Sequence, residues 1–184
     1  MKALIIISFL VAITALGGMR RNPVPHAITS PGKHFVFTMV PGPANQEHKQ
    51  GFGICYKIAS DGTFAEIWRT KGWYSEDLEL HYDGDLLVRI GSWGSGDQET
   101  NLGEESLAIA FYKLGKEVVR YKINDLVKEK DKLQYSEGGL QWLIYEGFAS
   151  PGFSSDGKHF RLKTIDNISY RFESSTGKIV YHQK

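Results

Sequence analysis

Ser154-Ser155-Asp156-Gly157-Lys158-His159-Phe160-Arg161-Leu162-Lys163 reads as a polar turn followed by a strand. In such a turn Asp bonds its own backbone and Gly supplies a positive φ. The stretch has an echo near the other end of the chain, Thr29-Ser30-Pro31-Gly32-Lys33-His34-Phe35-Val36-Phe37-Thr38. Both contain Gly-Lys-His-Phe, which puts His34 and His159 at matching strand starts. A looser copy is His81-Tyr82-Asp83-Gly84-Asp85-Leu86-Leu87-Val88-Arg89. The chain is therefore expected to repeat a turn-and-strand unit.

Outward from these turns the pattern stays β. His34 to Val40 is rich in β-branched and aromatic residues and stops at Pro41-Gly42-Pro43, which no central strand accommodates. Gly51 to Ile58 and Thr63 to Arg69 flank Ser60-Asp61-Gly62 as a hairpin. Leu78 to Tyr82 alternates, with Leu78, Leu80 and Tyr82 on one face and Glu79 and His81 on the other. Leu107 to Leu114 is nearly all apolar, which predicts a strand buried on both faces. Leu114-Gly115-Lys116 turns it into Glu117 to Ile123. Asn124 to Leu133 is the sole helical candidate. Leu140 to Tyr145 reads as a strand and 147–156 as a loop; Ile168 to Glu173 and Lys178 to His182 close the series.

Each unit has a Gly turn, a strand, a variable loop, a strand, a second Gly turn and a closing strand. The first turns hold Gly32, Gly84 and Gly157; the second hold Gly62, Gly115 and Gly177. A further strand is expected before each first turn, as in Leu78–Tyr82 and Leu140–Tyr145. Four antiparallel strands per repeat is the pattern of a propeller blade. Ser154-Ser155-Asp156-Gly157-Lys158-His159-Phe160 and Ser174-Ser175-Thr176-Gly177-Lys178-Ile179-Val180 resemble the strand entry and closing hairpin of β-propeller repeats, as in exported bacterial proteins. The resemblance implies an all-β, antiparallel fold of about three propeller-like four-stranded units. Three units fall short of a ring. An open stack, a β-sandwich or barrel, or assembly with another copy would each resolve this.

The N-terminus reads differently. Met1-Lys2 precedes an apolar run from Ala3 to Leu16, and Ala15-Leu16-Gly17 offers small residues for cleavage. That is a secretory signal pattern. It predicts a signal peptide at 1–17, a linker at 18–29 and one all-β domain at 30–184, with units near 30–72, 73–139 and 140–184. The expected location is secreted or periplasmic; left uncleaved, residues 3–19 would anchor the chain in a membrane. Of 22 Lys and Arg against 21 Asp and Glu, cleavage removes Lys2 and balances the charge. A balanced surface gives no footprint for nucleic acid. Cys55 is the single cysteine, so the domain stands without an internal disulfide.

Catalytic patterns are sparse. Gly152 to Lys158 has phosphate-loop spacing, but His159 stands where Ser or Thr must hold magnesium, and a strand follows. No Gly-x-Ser-x-Gly occurs. Cys55 lies in an apolar strand, where a thiol acts as a small hydrophobe. The six histidines show no mutual ligand spacing, and no metal site or cofactor is expected. Asp97, Glu99, Glu104 and Glu105 lie in a Gly-rich loop that matches no calcium motif. Glu76, Asp77 and Glu79 are the carboxylates available for glycosidase-like chemistry, although in a strand Asp77 and Glu79 face water. Asn167-Ile168-Ser169 is a glycosylation sequon. Trp68, Trp73 and Trp142 read as core residues. Trp93, in Gly91-Ser92-Trp93-Gly94, sits where packing does not explain it and is the candidate ligand-binding residue. The expected function is a non-catalytic module that binds a protein or glycan. A hydrolase with carboxylates assembled by the fold and a subunit completing a larger β assembly are the alternatives.

Overall fold

The computed structural model describes residues 23–44, 49–91, 106–136, 139–145 and 150–184. Three four-stranded antiparallel sheets follow one another along the chain. The first contains β1 (His26–Thr29), β2 (Phe35–Val40), β3 (Phe52–Ile58) and β4 (Phe64–Lys71). The second contains β5 (Leu78–Leu80), β6 (Leu86–Ile90), β7 (Leu107–Lys113) and β8 (Lys116–Lys122). A short helix α1 (Ile123–Leu126), a 3-10 turn (Lys130–Lys132) and a small ribbon of β9 (Gln134–Ser136) and β10 (Gly139–Gln141) intervene. The third sheet contains β11 (Gly152–Phe153), β12 (His159–Lys163), β13 (Ser169–Glu173) and β14 (Ile179–Gln183). Strand order equals chain order in all three. This is the propeller-like repeat expected from the turns, and the helical span shrinks to two short turns.

The sheets stack face to face, and the middle one is covered twice. Along β6 and β7, Leu87, Ala110 and Tyr112 pack with Phe37, Met39, Cys55 and Trp68 of the first sheet. Val88, Ile90, Ile109 and Phe111 pack on the opposite side with Phe160, Leu162, Tyr170 and Phe172 of the third. The period-2 alternation thus feeds two cores. This is why Leu107 to Phe111 is an unbroken apolar run. Leu126, Leu133, Trp142 and Leu143 fill the wedge between the second and third sheets. Fully buried Asp166 fastens this wedge: Oδ2 accepts from the backbone N–H groups of Lys128 and Glu129 at 2.7 and 3.1 Å. Tyr170 adds a hydroxyl bond to the Leu126 carbonyl at 2.6 Å. Among the described residues, no helix is long and apolar enough to cross a membrane.

Three strand assignments differ from the sequence reading. His26–Thr29, within the expected linker, pairs with β2 from His26↔Met39 to Thr29↔Val36. Ile28 packs on the core there, and Tyr74 hydroxyl donates to the Val24 carbonyl at 2.7 Å. Leu140–Tyr145 is not the first strand of the third sheet. Leu140 pairs with Tyr135, Leu143 makes a lone bridge to Thr164, and Gly152–Phe153 takes the expected place beside β12. The third difference is His81, which is buried although alternation put it outside. β5 ends at Leu80, so the alternation does not reach it.

The turns before β2, β6 and β12 share one hydrogen-bond pattern. Ser30, His81 and Ser154 each donate a backbone N–H to the carbonyl five residues on, at 3.0, 3.0 and 2.8 Å. Each also accepts from the N–H three residues on. That register aligns Lys33, Gly84 and Gly157, all at positive φ (57°, 70° and 69°). Gly32 is therefore one position out of step, and Gly-Lys-His-Phe is a coincidence of spelling. His34 matches Asp85 and Lys158; His159 matches Phe35 and Leu86.

Candidate functional site

Most of the side chains singled out in the sequence serve the fold. Trp68, Trp73 and Trp142 are buried, and their ring N–H groups donate to Gly84 carbonyl, Thr70 hydroxyl and Gly91 carbonyl respectively. Cys55 is fully buried between the first two sheets, and burial pushes its thiol up to about 12. A thiol so held is no nucleophile at neutral pH. The Gly152–His159 stretch is strand, turn and strand, so it offers no helix N-terminus for a phosphate. Trp93 and the acids Asp97, Glu99, Glu104 and Glu105 lie outside the described residues, between Gly91 and Ser106.

The carboxylates in and just before β5 differ from their expected setting. Asp77 and Glu79 are half-buried, not facing water. Burial raises the Asp77 carboxyl above the ordinary range; a Tyr145 hydroxyl bond at 3.4 Å opposes this and the charge of Glu76 adds to it. Burial also raises Glu79, and the charge of Asp77 raises it further.

A second set of groups lines the seam between the second and third sheets. His81, Asp83 and Asp85 lie around the turn before β6, facing the turn before β12. The cleft they share with Lys113, Lys158 and Glu173 has a volume of about 400 Å³. His81 Nε2 lies 3.0 Å from the Gly157 carbonyl. Spacing among the histidines alone does not reveal this group; the signal in the sequence is His-x-Asp-x-Asp at 81–85.

The outer faces of the end sheets are the third feature. On the first sheet, Val36, Ile54 and Tyr56 are half-buried, and Phe52 and Ile67 are 42% and 41% exposed. On the third, alternation away from buried Phe160, Leu162, Tyr170 and Phe172 leaves Arg161, Lys163, Ser169 and Arg171 outward. Arg161 stands directly opposite Arg171, and Arg171 opposite Tyr181. Like charges opposed across a strand pair are destabilising. Among the described residues neither guanidinium has a carboxylate partner within ion-pair distance; Arg171 lies over the Tyr181 ring at 5.3 Å. The row borders a hollow of about 300 Å³ that also takes in Ser150, Lys163 and Ser169. No sequence motif marks this row, because it exists only through the register of β12, β13 and β14.

No family model matches the sequence, and no curated protein matches it. Among solved structures, the fold is similar to the C-terminal WD40 domain of Sif2, with a TM-score of 0.39 at 11% identity. The likeness covers 85% of this chain and 36% of that one, so the chain spans little more than a third of its length. The propeller-like assignment itself is carried by three meanders of identical strand order stacked on two shared cores.

Proposed function

We propose that the chain is an interaction module that recognises a carboxylate-rich segment of a protein partner on the outer face of its third sheet. The observation that carries this reading is the opposition of Arg161 and Arg171, without a carboxylate partner among the described residues. Two guanidinium groups side by side repel each other until an anion bridges them, and their planar forks suit carboxylates. Tyr181 beside Arg171 adds an aromatic surface, and Lys163 adds a third cation. Fluorescence polarisation with acidic and charge-neutral peptide libraries tests it. Wild type binds acidic peptides with an affinity that falls as salt rises; Arg161→Ala and Arg171→Ala each weaken binding about tenfold or more. Equal binding by the double variant sinks the reading.

A second reading rests on Asp77 and Glu79, adjacent carboxylates that burial raises. Such pairs occur where one carboxyl must stay protonated to act as an acid. This is the hydrolase alternative, and a glycosidase substrate panel with Asp77→Asn and Glu79→Gln tests it. Turnover lost in both variants, with folding intact, favours it over the interaction module.

Two readings of the sequence stay within this proposal. Trp93 is a further ligand contact, tested by comparing wild type and Trp93→Ala on glycan and peptide arrays. Export through residues 1–17 is tested by N-terminal sequencing of the mature protein; a start at Met1 overturns cleavage.

A further inference from the structure

The three turns that enter β2, β6 and β12 share one backbone but not one chemistry. In the third sheet, Ser154 hydroxyl donates to Asp156 Oδ1 at 2.6 Å, and the Lys158 backbone N–H donates to the same oxygen at 3.1 Å. In the first sheet the same places hold Ser30, Gly32 and His34. In the second they hold His81, Asp83 and Asp85. Relative to the third sheet, a hydroxyl has become an imidazole and a lysine has become a carboxylate. Each change adds a potential ligand atom, and together they add negative charge.

The geometry gathers those atoms. His81 Nδ1 lies 3.7 Å from Asp83 Oδ2 and 3.8 Å from Asp85 Oδ1, and all three donor atoms lie within 4.8 Å of one another. The His81 side chain is only 10% exposed. Its Nε2 faces the Gly157 carbonyl at 3.0 Å, and a carbonyl only accepts, so the proton of the neutral ring is on Nε2. Nδ1 then turns its lone pair toward the two carboxylates, with the Asp83 N–H at a long 3.4 Å. A backbone carbonyl on the far ring nitrogen is the usual support of a metal-bound histidine. Asp85 Oδ1 is buried and, among the described residues, has no hydrogen-bond partner. Lys113 and Lys158 line the same cleft, yet neither forms an ion pair with Asp83 or Asp85.

We propose that His81, Asp83 and Asp85 form a binding site for a divalent transition-metal cation, with zinc the leading occupant, set in the seam between the second and third sheets. One imidazole and two carboxylates suit zinc and manganese, whereas calcium takes oxygen ligands throughout. Ligands about 2.1 Å from a shared ion lie about 3–3.4 Å apart, so Nδ1 and each carboxylate oxygen close by roughly half an ångström on binding. Asp83 is largely exposed, which leaves the solvent side of the ion open to water. The bound ion would clamp His81, and through it the Gly157 turn.

Isothermal titration of zinc, manganese and calcium into metal-stripped full-length protein tests the proposal. The variants are Asp83→Asn, Asp85→Asn and the sibling exchanges His81→Ser and Asp85→Lys. One equivalent of zinc is expected to bind wild type, with calcium far weaker. Each variant is expected to lose about tenfold or more in zinc affinity. Zinc should also move the His81 ring resonances in NMR spectra at the same stoichiometry, a readout that survives if His81→Ser folds poorly. The absence of stoichiometric zinc binding to wild type, unchanged affinity in both Asn variants, or unmoved His81 resonances overturns it.

Discussion

Lys33 and Gly84 occupy the same place in two successive sheets, with the same hydrogen bonds and left-handed φ values of 57° and 70°. They differ in what lies beside them. A Cβ placed on Gly84 would come within 2.4 Å of the Phe35 ring of the first sheet, and one on Gly157 within 2.7 Å of His81 Nε2 of the second. Among the described residues no sheet packs against the turn of Lys33, and Lys33 is exposed. The turn alone therefore tolerates a side chain, at the cost of a left-handed conformation. The seam between sheets is what demands glycine. A sheet added ahead of the first, in the same geometry, would meet Lys33 where Gly84 meets Phe35.

Substitutions can break or sharpen this comparison. Gly84→Ala carries the largest expected effect, a loss of about 3 kcal/mol from overpacking plus left-handed strain. Urea denaturation measures it, and adding Phe35→Ala should not deepen the loss by the full cost of that truncation. Gly157→Ala costs less, about 1–2 kcal/mol, because the obstacle is the end of the His81 side chain, and what is lost is its bond to Gly157. Lys33→Gly should change stability by less than about 1 kcal/mol, since relief of strain and added chain entropy offset each other. A loss as large as that of Gly84→Ala would show that something covers the first sheet after all.

The smallest effect is electrostatic and depends on pH. Burial raises the folded-state pKa of Asp77 and Glu79, so their ionised forms oppose folding. That penalty is absent below the unfolded carboxylate range and develops as pH rises through it. Thermal melts of Asp77→Asn should show a gain over wild type at pH 7 and none at pH 3. A gain at both would assign the effect to packing.

Much of the architecture was legible because turns and strands have local chemistry. Asp-Gly turns marked the second and third sheets, and the apolar run from Leu107 announced a strand with neighbours on both sides. What escaped was set by register or by neighbours. Pro31-Gly32 resembles a turn centre, but the hydrogen bonds put Lys33 at the left-handed position, and His34 lost its likeness to His159. Gly152–Phe153 is too short a strand to show periodicity. Arg161 and Arg171 are 10 residues apart in sequence and meet only through pairing. His81, Asp83 and Asp85 lay in plain view, but nothing in the letters says that Gly157 would take one nitrogen of the ring and leave the other facing two carboxylates.

The double burial of β6 and β7 also sets how damage spreads. In a stack where each unit touches only its neighbours, stability divides into unit terms and seam terms. The middle sheet takes part in both seams, and the outer sheets in one each. Truncating Ile109, which faces the third sheet, should weaken one seam, and truncating Leu87, which faces the first, should weaken the other. A cavity at Phe37 leaves the seam between the second and third sheets intact. The chain is thus expected to melt from its first sheet inward, with the second and third surviving as a pair, and β7 sets the limit of that retreat.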